Sequence, residues 1–390
     1  MRVMNKNVYI LAVAAVTVGL VELIVGGVLP IIADDMQVST GTAGQLITIF
    51  ALVYAISGPI LLSVTGKYDR KKLYLATLFI FFLGNIATYF SPTFAWMMIA
   101  RVLTASSASL VIALSLTITP RIVEVAYRAR ALGIIVMGIS SSLVLGVPIG
   151  IVITNYFGWR MVFLGIAILT LITMVLVHKL IDSVPNERVV PLRTQIKALG
   201  NIKIGGAHLA TMFTLAGHYT FYAYFTPFLE TTLHLSQNWI SITYFIFGIA
   251  AVSGGALGGS MADKIGVQKT ILIVIGSFAI ALFILPYMTF SFPLFLIMML
   301  VWGALSWALS PPQQEYIIQS DPDTYAIHQS FNNSALQFGI ALGSAIGGFV
   351  LQKTESVTTV AHVGSIVIIV AFVFALFSFS IRTESARSEV

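Results

Sequence analysis

The chain has 390 residues, of which 58% are hydrophobic and only 9% charged, with a net charge of +6 and no cysteine. A soluble globular domain carries about 25% charged residues, so this composition excludes an aqueous core-and-surface protein. It also excludes a disulfide framework, a thiolate metal site and a cysteine nucleophile, and the basic excess falls in short loops between apolar runs rather than in a nucleic-acid patch.

A membrane-spanning helix needs about 20 mostly apolar residues. That criterion predicts helices over roughly 8–32, 42–65, 73–91, 94–119, 131–154 and 160–180. A second set follows over roughly 205–229, 239–261, 270–290, 292–312, 326–350 and 361–381. The first run is too long for the h-region of a cleavable signal, which is about 7–15 residues. The expected architecture is an all-α membrane protein of twelve transmembrane helices in two six-helix bundles, residues 1–180 and 205–390. Residues 181–204, rich in charge and carrying Pro185 and Pro191, read as a cytoplasmic linker. Lys and Arg gather at both termini and in the loops after even-numbered helices, while the opposite face keeps only Arg160 and Lys353. By the positive-inside bias both termini are cytoplasmic.

Glu22 sits in the middle of the first run, within Val18-Gly-Leu-Val-Glu-Leu-Ile-Val-Gly-Gly27. An ionised carboxylate in hydrocarbon is costly, so it faces water, pairs with a cation or carries a proton. Arg101, in the fourth run, is the other full charge deep in an apolar stretch. A carboxyl that gains proton affinity on desolvation and loses it when Arg101 approaches would load and release a proton between states. Two alternatives stand beside this: a structural ion pair between the first and fourth helices, or an Arg101 that snorkels to the outer interface.

The second run ends in Gly66-Lys-Tyr-Asp69-Arg70-Lys-Lys72, and the eighth in Gly259-Ser-Met-Ala-Asp263-Lys-Ile-Gly266. Asp263 lies 194 residues after Asp69. The two loops read either as conformational latches (Asp69, Arg70, Gly259, Asp263, Gly266) or as plain positive-inside charge with a stray acid. The fifth run carries Gly138, Gly146, Pro148 and Gly150. Small residues let helices approach closely, and proline bends a helix and frees a carbonyl. Leu145-Gly146-Val-Pro-Ile-Gly150 recurs as Leu342-Gly343-Ser-Ala-Ile-Gly347 at an offset of 197. A duplicated six-helix unit is the mark of a transporter whose halves rock about a midplane site.

These features resemble the major facilitator superfamily, and within it the drug:proton antiporter branch, whose fifth helix carries the antiporter motif. The first loop departs from that pattern at Thr65 and Lys72, and the fifth helix at Val147, between its glycine and proline. Val21–Gly27, Ala210–Tyr219 and Ala341–Gly348 are similar to the purine efflux pumps of Gram-positive bacteria. The resemblance implies a bacterial cytoplasmic-membrane antiporter with the major facilitator fold. It would export purine bases and ribonucleosides such as hypoxanthine, adenine, inosine and adenosine against protons, by alternating access. A multidrug or sugar-type proton antiporter of the same fold is the alternative. The partners expected are a small purine, protons and the lipid bilayer, with no nucleic acid, cofactor or metal, and a monomeric state.

A purine needs a flat aromatic face and groups that donate and accept together. Tyr222, Trp307, Asn333 and Gln337 are the candidates for that lining. Tyr and Trp also belt membrane interfaces, and amides also glue helices. His218 is a further candidate proton site. No His-Glu-x-x-His motif, Ser-Lys pair or Walker loop is present, so the sequence does not read as an enzyme or a nucleotide-driven pump.

The charge bias yields a direct test of topology. Cysteine placed at Asn155 or Ser356 should react with an impermeant thiol reagent added outside the cell, and cysteine at Asn186 should not. Labelling at 186 from outside would reverse the assignment.

Overall fold

Lipid offers peptide groups no hydrogen-bond partner, so an apolar chain crosses it as helices that satisfy their own backbone. The computed structural model describes residues 7–124, 127–184, 200–322 and 324–381, and among them there is no strand. The central part of the expected linker, with Pro185, Asn186 and Pro191, lies outside the described residues, as do Arg2, Lys6, Arg188, Arg193, Lys197, Arg382 and Arg387.

The helices in order are α1 (Asn7–Gly27), α2 (Leu29–Asp35), α3 (Thr40–Ala43), α4 (Gln45–Val64), α5 (Arg70–Tyr89) and α6 (Phe94–Ile118). Then come α7 (Arg128–Ser141), α8 (Val147–Phe157), α9 (Trp159–Leu180), α10 (Ile202–Tyr222), α11 (Phe225–Thr231) and α12 (Gln237–Ile265). The last are α13 (Val267–Ile284), α14 (Phe292–Ala308), α15 (Ser310–Ser320), α16 (Tyr325–Thr354) and α17 (Val357–Ser380). Among the described residues, eleven helical stretches are long and apolar enough to cross a membrane. The twelfth, α10, has 21 residues but carries His208, Thr211, Thr214, His218 and Thr220 on its buried side, which lowers its apolarity. The protein is an all-α membrane protein.

Four of the breaks in the expected helices have a proline beside them, whereas the run 42–65 breaks at Gly44, between α3 and α4, without one. The run 8–32 divides into α1 and α2, with Pro30 in the first turn of α2. The run 205–229 divides into α10 and α11, with Pro227 in the first turn of α11. The run 292–312 divides at Leu309, and Pro311 opens α15. In the fifth run a π turn, Ser142–Gly146, separates α7 from α8 ahead of Pro148, and Val147 N–H bonds back to Ser142 O. Proline has no N–H to give, and its ring collides with the carbonyl four residues back. A wider turn relieves that collision without ending the helix.

The chain forms two compact units. One comprises Met1–Ser39, Ile49–Val190 and Ser236–Phe245; the other comprises Thr40–Thr48, Pro191–Leu235 and Ile246–Val390. The backbone repeats between them far beyond the motif that first showed it. Pro30 and Pro227, which restart α2 and α11, are 197 residues apart. The non-glycine residues with positive φ include Gln37 (53°) and His234 (51°), again 197 apart. Gly158 (86°) and Glu355 (52°), at the ends of α8 and α16, keep the same offset and both have positive φ, although ψ differs, 154° against 19°.

One packing seam recurs as well. A Cβ on Gly138 would stand 2.7 Å from Ala12 O, and one on Gly146 or Gly150 would overlap Leu20 or Ile24 of α1. In the other unit Gly339, Gly343 and Gly347 of α16 lie against the carbonyls of Met212, Ala216 and Thr220 of α10. The candidate antiporter-motif glycines are thus the residues that let the fifth span lie directly on α1. Gly150→Val should destabilise the protein by about 1–3 kcal/mol, the usual cost of overpacking. Gly165→Ala, where nothing stands within 4 Å of the added carbon, should not. Thermal unfolding of the two variants in detergent compares them directly.

Candidate functional site

The close seam against α7 and α8 places the length of α1 that bears Glu22 inside the first unit, with the Glu22 side chain half-buried. Arg101 of α6 is fully buried. Its Nη1 donates to Val21 O at 3.0 Å, one residue from Glu22, and its guanidinium carbon sits 4.4 Å from the centre of the Phe50 ring. That carbonyl, with a second lone pair to offer, and the negative face of the ring both favour a cation held away from water. Complete burial removes the alternative in which Arg101 snorkels to the surface. The charge of Glu22 acts on Arg101 and on the buried Tyr54. The site is therefore a carboxylate, a guanidinium, a phenol and an aromatic face contributed by α1, α4 and α6.

Sequence reading found Glu22 and Arg101 but missed Phe50 and Tyr54. Their signal was available: the two are four residues apart on one face of α4, with ring centres 6.2 Å apart.

The two expected latches differ. Asp69 accepts from Lys72 N–H at 2.9 Å, capping α5, and from Ser183 Oγ at 2.5 Å. Arg70, buried, donates its N–H to Val184 O at 3.0 Å, and Lys71 Nζ reaches His178 O at 2.9 Å. The first loop thus straps the end of α9 and the residues after it. Gly259 and Asp263 lie near the end of α12, and Gly266, at φ 91°, turns the chain into α13. Asp263 is exposed and makes no hydrogen bond or ion pair among the described residues.

Of the expected substrate residues, Tyr222 is buried 5.1 Å from His218 and 5.3 Å from Phe247, ring centre to ring centre. This cluster extends to Trp302, fully buried and 4.7 Å from Phe247. Gln337 is buried, Trp307 half-buried and Asn333 exposed. Asn332, the neighbour of Asn333, is the amide turned inward. Trp302 and Phe247 escaped the sequence reading, yet Phe247 lies 197 residues after Phe50. The equivalent ring packs against a guanidinium in one unit and, at an interplanar angle of 53°, against an indole in the other.

Burial raises the Asp69 carboxyl, but hydrogen bonds from Ser183 and the N–H groups of Lys72 and Lys71, with the Lys72 charge, pull it below its usual range. A depressed carboxylate stabilises the fold above its unfolded value of about 3.9 and loses that contribution as pH falls through its folded value. Asp69→Ala should therefore cost about 1 kcal/mol at neutral pH, the usual worth of such a cap. The difference from wild type should shrink below about pH 4, as both unfolding curves in detergent would show.

The sequence profile of the Major Facilitator Superfamily matches residues 11–327. An uncharacterized MFS-type transporter of Bacillus subtilis (strain 168), YbcL, is 33% identical over 384 residues, covering 98% of each chain. A second from the same organism, YtbD, is 29% identical over 368 residues, covering 93% of this chain and 92% of its own. Among solved structures, a bacterial homologue of the human lysosomal transporter Spinster matches in its inward-facing occupied form, with a TM-score of 0.79 over 95% of this chain and 96% of that one. Its inward-facing unoccupied form gives 0.74 over 95% and 94%, and both are 16% identical. This chain belongs to the major facilitator superfamily and is a membrane transporter of that family, not an enzyme.

Proposed function

We propose that this transporter exports purine bases and ribonucleosides in exchange for protons. The observation that carries the reading is the coupling site: a half-buried Glu22 whose charge acts on a fully buried Arg101, itself held by the carbonyl next to Glu22. An intramembrane carboxylate with one buried cationic neighbour can bind a proton in one state and give it up in another as that neighbour moves. Glu22 is the proton carrier in this scheme and Arg101 the group that sets when the proton leaves. The glycine seam along α1 supports the scheme, because motion of the fifth span is transmitted to the helix that bears Glu22.

The purine assignment rests on the similarity of Val21–Gly27, Ala210–Tyr219 and Ala341–Gly348 to purine efflux pumps. Tyr222 supplies an aromatic face, with Trp307, Asn333 and Gln337 as further lining, and the loops at Asp69 and Asp263 act as latches. The protein works as a monomer in the cytoplasmic membrane, with both termini in the cytoplasm and the two halves 1–180 and 205–390 joined by 181–204.

Efflux from loaded vesicles tests the assignment. With an imposed pH gradient, labelled hypoxanthine and adenosine should leave faster than without one, and a cationic dye should not. Dye efflux equal to that of the purines would favour a multidrug exporter. Glu22→Gln, locked in the protonated form, should still exchange labelled for unlabelled purine but fall to the level of protein-free vesicles in gradient-driven efflux. Gradient-driven efflux by Glu22→Gln at the wild-type rate would leave Glu22 a structural partner of Arg101.

A further inference from the structure

The second unit contains a buried polar cluster that the coupling scheme does not use. His208 of α10 and His328 of α16 lie with ring centres 5.7 Å apart, and both are buried. His208 Nδ1 faces Asn332 Oδ1 at 3.3 Å, and Thr211 Oγ1 donates to the same oxygen at 2.9 Å. His328 Nε2 lies 3.5 Å from Asp321 Oδ2, in the turn between α15 and α16. The Asp321 side chain is 26% exposed and that of His328 only 1%, so the carboxylate links a buried imidazole to water. His208 Nε2 and both ring nitrogens of His328 have no hydrogen-bond partner among the described residues, so the approach of His328 to Asp321 is a charge contact rather than a hydrogen bond.

The internal repeat shows that the fold does not need the two histidines, Thr211 or Asn332, whereas Asp321 has an acid, Glu124, as its counterpart. The residues 197 positions before His208, Thr211, His328 and Asn332 are Leu11, Ala14, Ala131 and Ile135. All four are fully buried. The first unit builds the same helix contact from apolar side chains, whereas the second accepts buried polar atoms left without partners. Such atoms cost free energy that an apolar copy avoids. Ionisable groups kept inside a membrane bundle mark a site by default.

We propose that His208, His328 and Asp321 form a second proton-binding site, in the second unit, filled through the aqueous face that bears Asp321. The site holds one proton. A proton on His328 is paired by Asp321, and a second on His208 would be opposed by the first across 5.7 Å. Two other charged groups among the described residues of the surrounding elements have contacts of their own. Glu315 of α15 accepts from Gln319, and Lys203 at the start of α10 lies 5.5 Å over the ring of Tyr316. Gln313 of α15, neutral, donates to Ala207 O at 2.7 Å. Asp321 is suited to be the counter-ion: hydrogen bonds from Thr324, together with the charge of the nearby His328, hold its carboxyl below the usual range, against desolvation.

The test needs no substrate and no gradient, so it stands or falls apart from the purine reading. The whole protein, labelled with 15N-histidine and held in detergent, is titrated by NMR. His208→Gln and His328→Gln each assign a signal among the six histidines. As the pH falls from about 8 to about 5, His328 should take up its proton before His208. In Asp321→Asn the His328 midpoint should move acid by about 1 pH unit or more, because the counter-charge is gone. His208 should stay neutral wherever His328 is charged. The proposal is overturned if both rings stay neutral over that whole range, or if Asp321→Asn leaves the midpoint in place. Should Asp321→Asn not fold, the wild-type titration decides alone.

Discussion

The direct approach of two helix backbones is the constraint on which the first unit depends. Gly138, Gly146 and Gly150 remove the side chains that would hold the fifth span away from α1. Only then does α1 sit deep enough for Arg101 to reach the carbonyl of Val21 and for Phe50 to lie under the guanidinium. In lipid there is little hydrophobic gain from bringing helices together, so van der Waals contact along such seams supplies most of the attraction. The π turn before Pro148 belongs to the same device, because it lets a proline-bearing span keep its course along α1.

The other unit repeats that seam with α10 and α16. The repeat is one of backbone geometry more than of chemistry. Restarted helices, left-handed turn residues and glycine contacts recur at one offset, while the buried polar groups do not. The first unit places an acid and a base at one level of its bundle; the second has a ring of aromatic side chains around His218 and Trp302. The second unit instead places two histidines where the first has alanine and leucine. Packing sets the shared frame, since any change in a seam residue collides with its neighbour.

Much of this was legible in the chain. Length and apolarity give the spans, because a bilayer of fixed thickness imposes the same arithmetic on every helix. Glu22 and Arg101 stand out because charge inside an apolar run is rare and costly. The shared letters of Leu145–Gly150 and Leu342–Gly347 show the duplication. Tyr222 is visible as an aromatic residue among polar ones, but Trp302 is not, since one tryptophan in a long apolar run looks like any other.

What the sequence by itself determined is the membrane class, the helix count, the duplication and the pair of charges, each a property of local composition or of spacing. Tertiary structure alone decided which side of each helix is used. It set Phe50 against Arg101 with Tyr54 next to it, and turned Asn332 inward while leaving Asn333 exposed. It gave Asp69 the partner Ser183 and left Asp263 without one among the described residues. It brought His208 to within 5.7 Å of His328, although 120 residues separate them in the chain. The reason is geometric. Successive residues of a helix point about 100° apart, so neighbours in sequence face different surroundings, and only the packing of distant helices decides which of them meet.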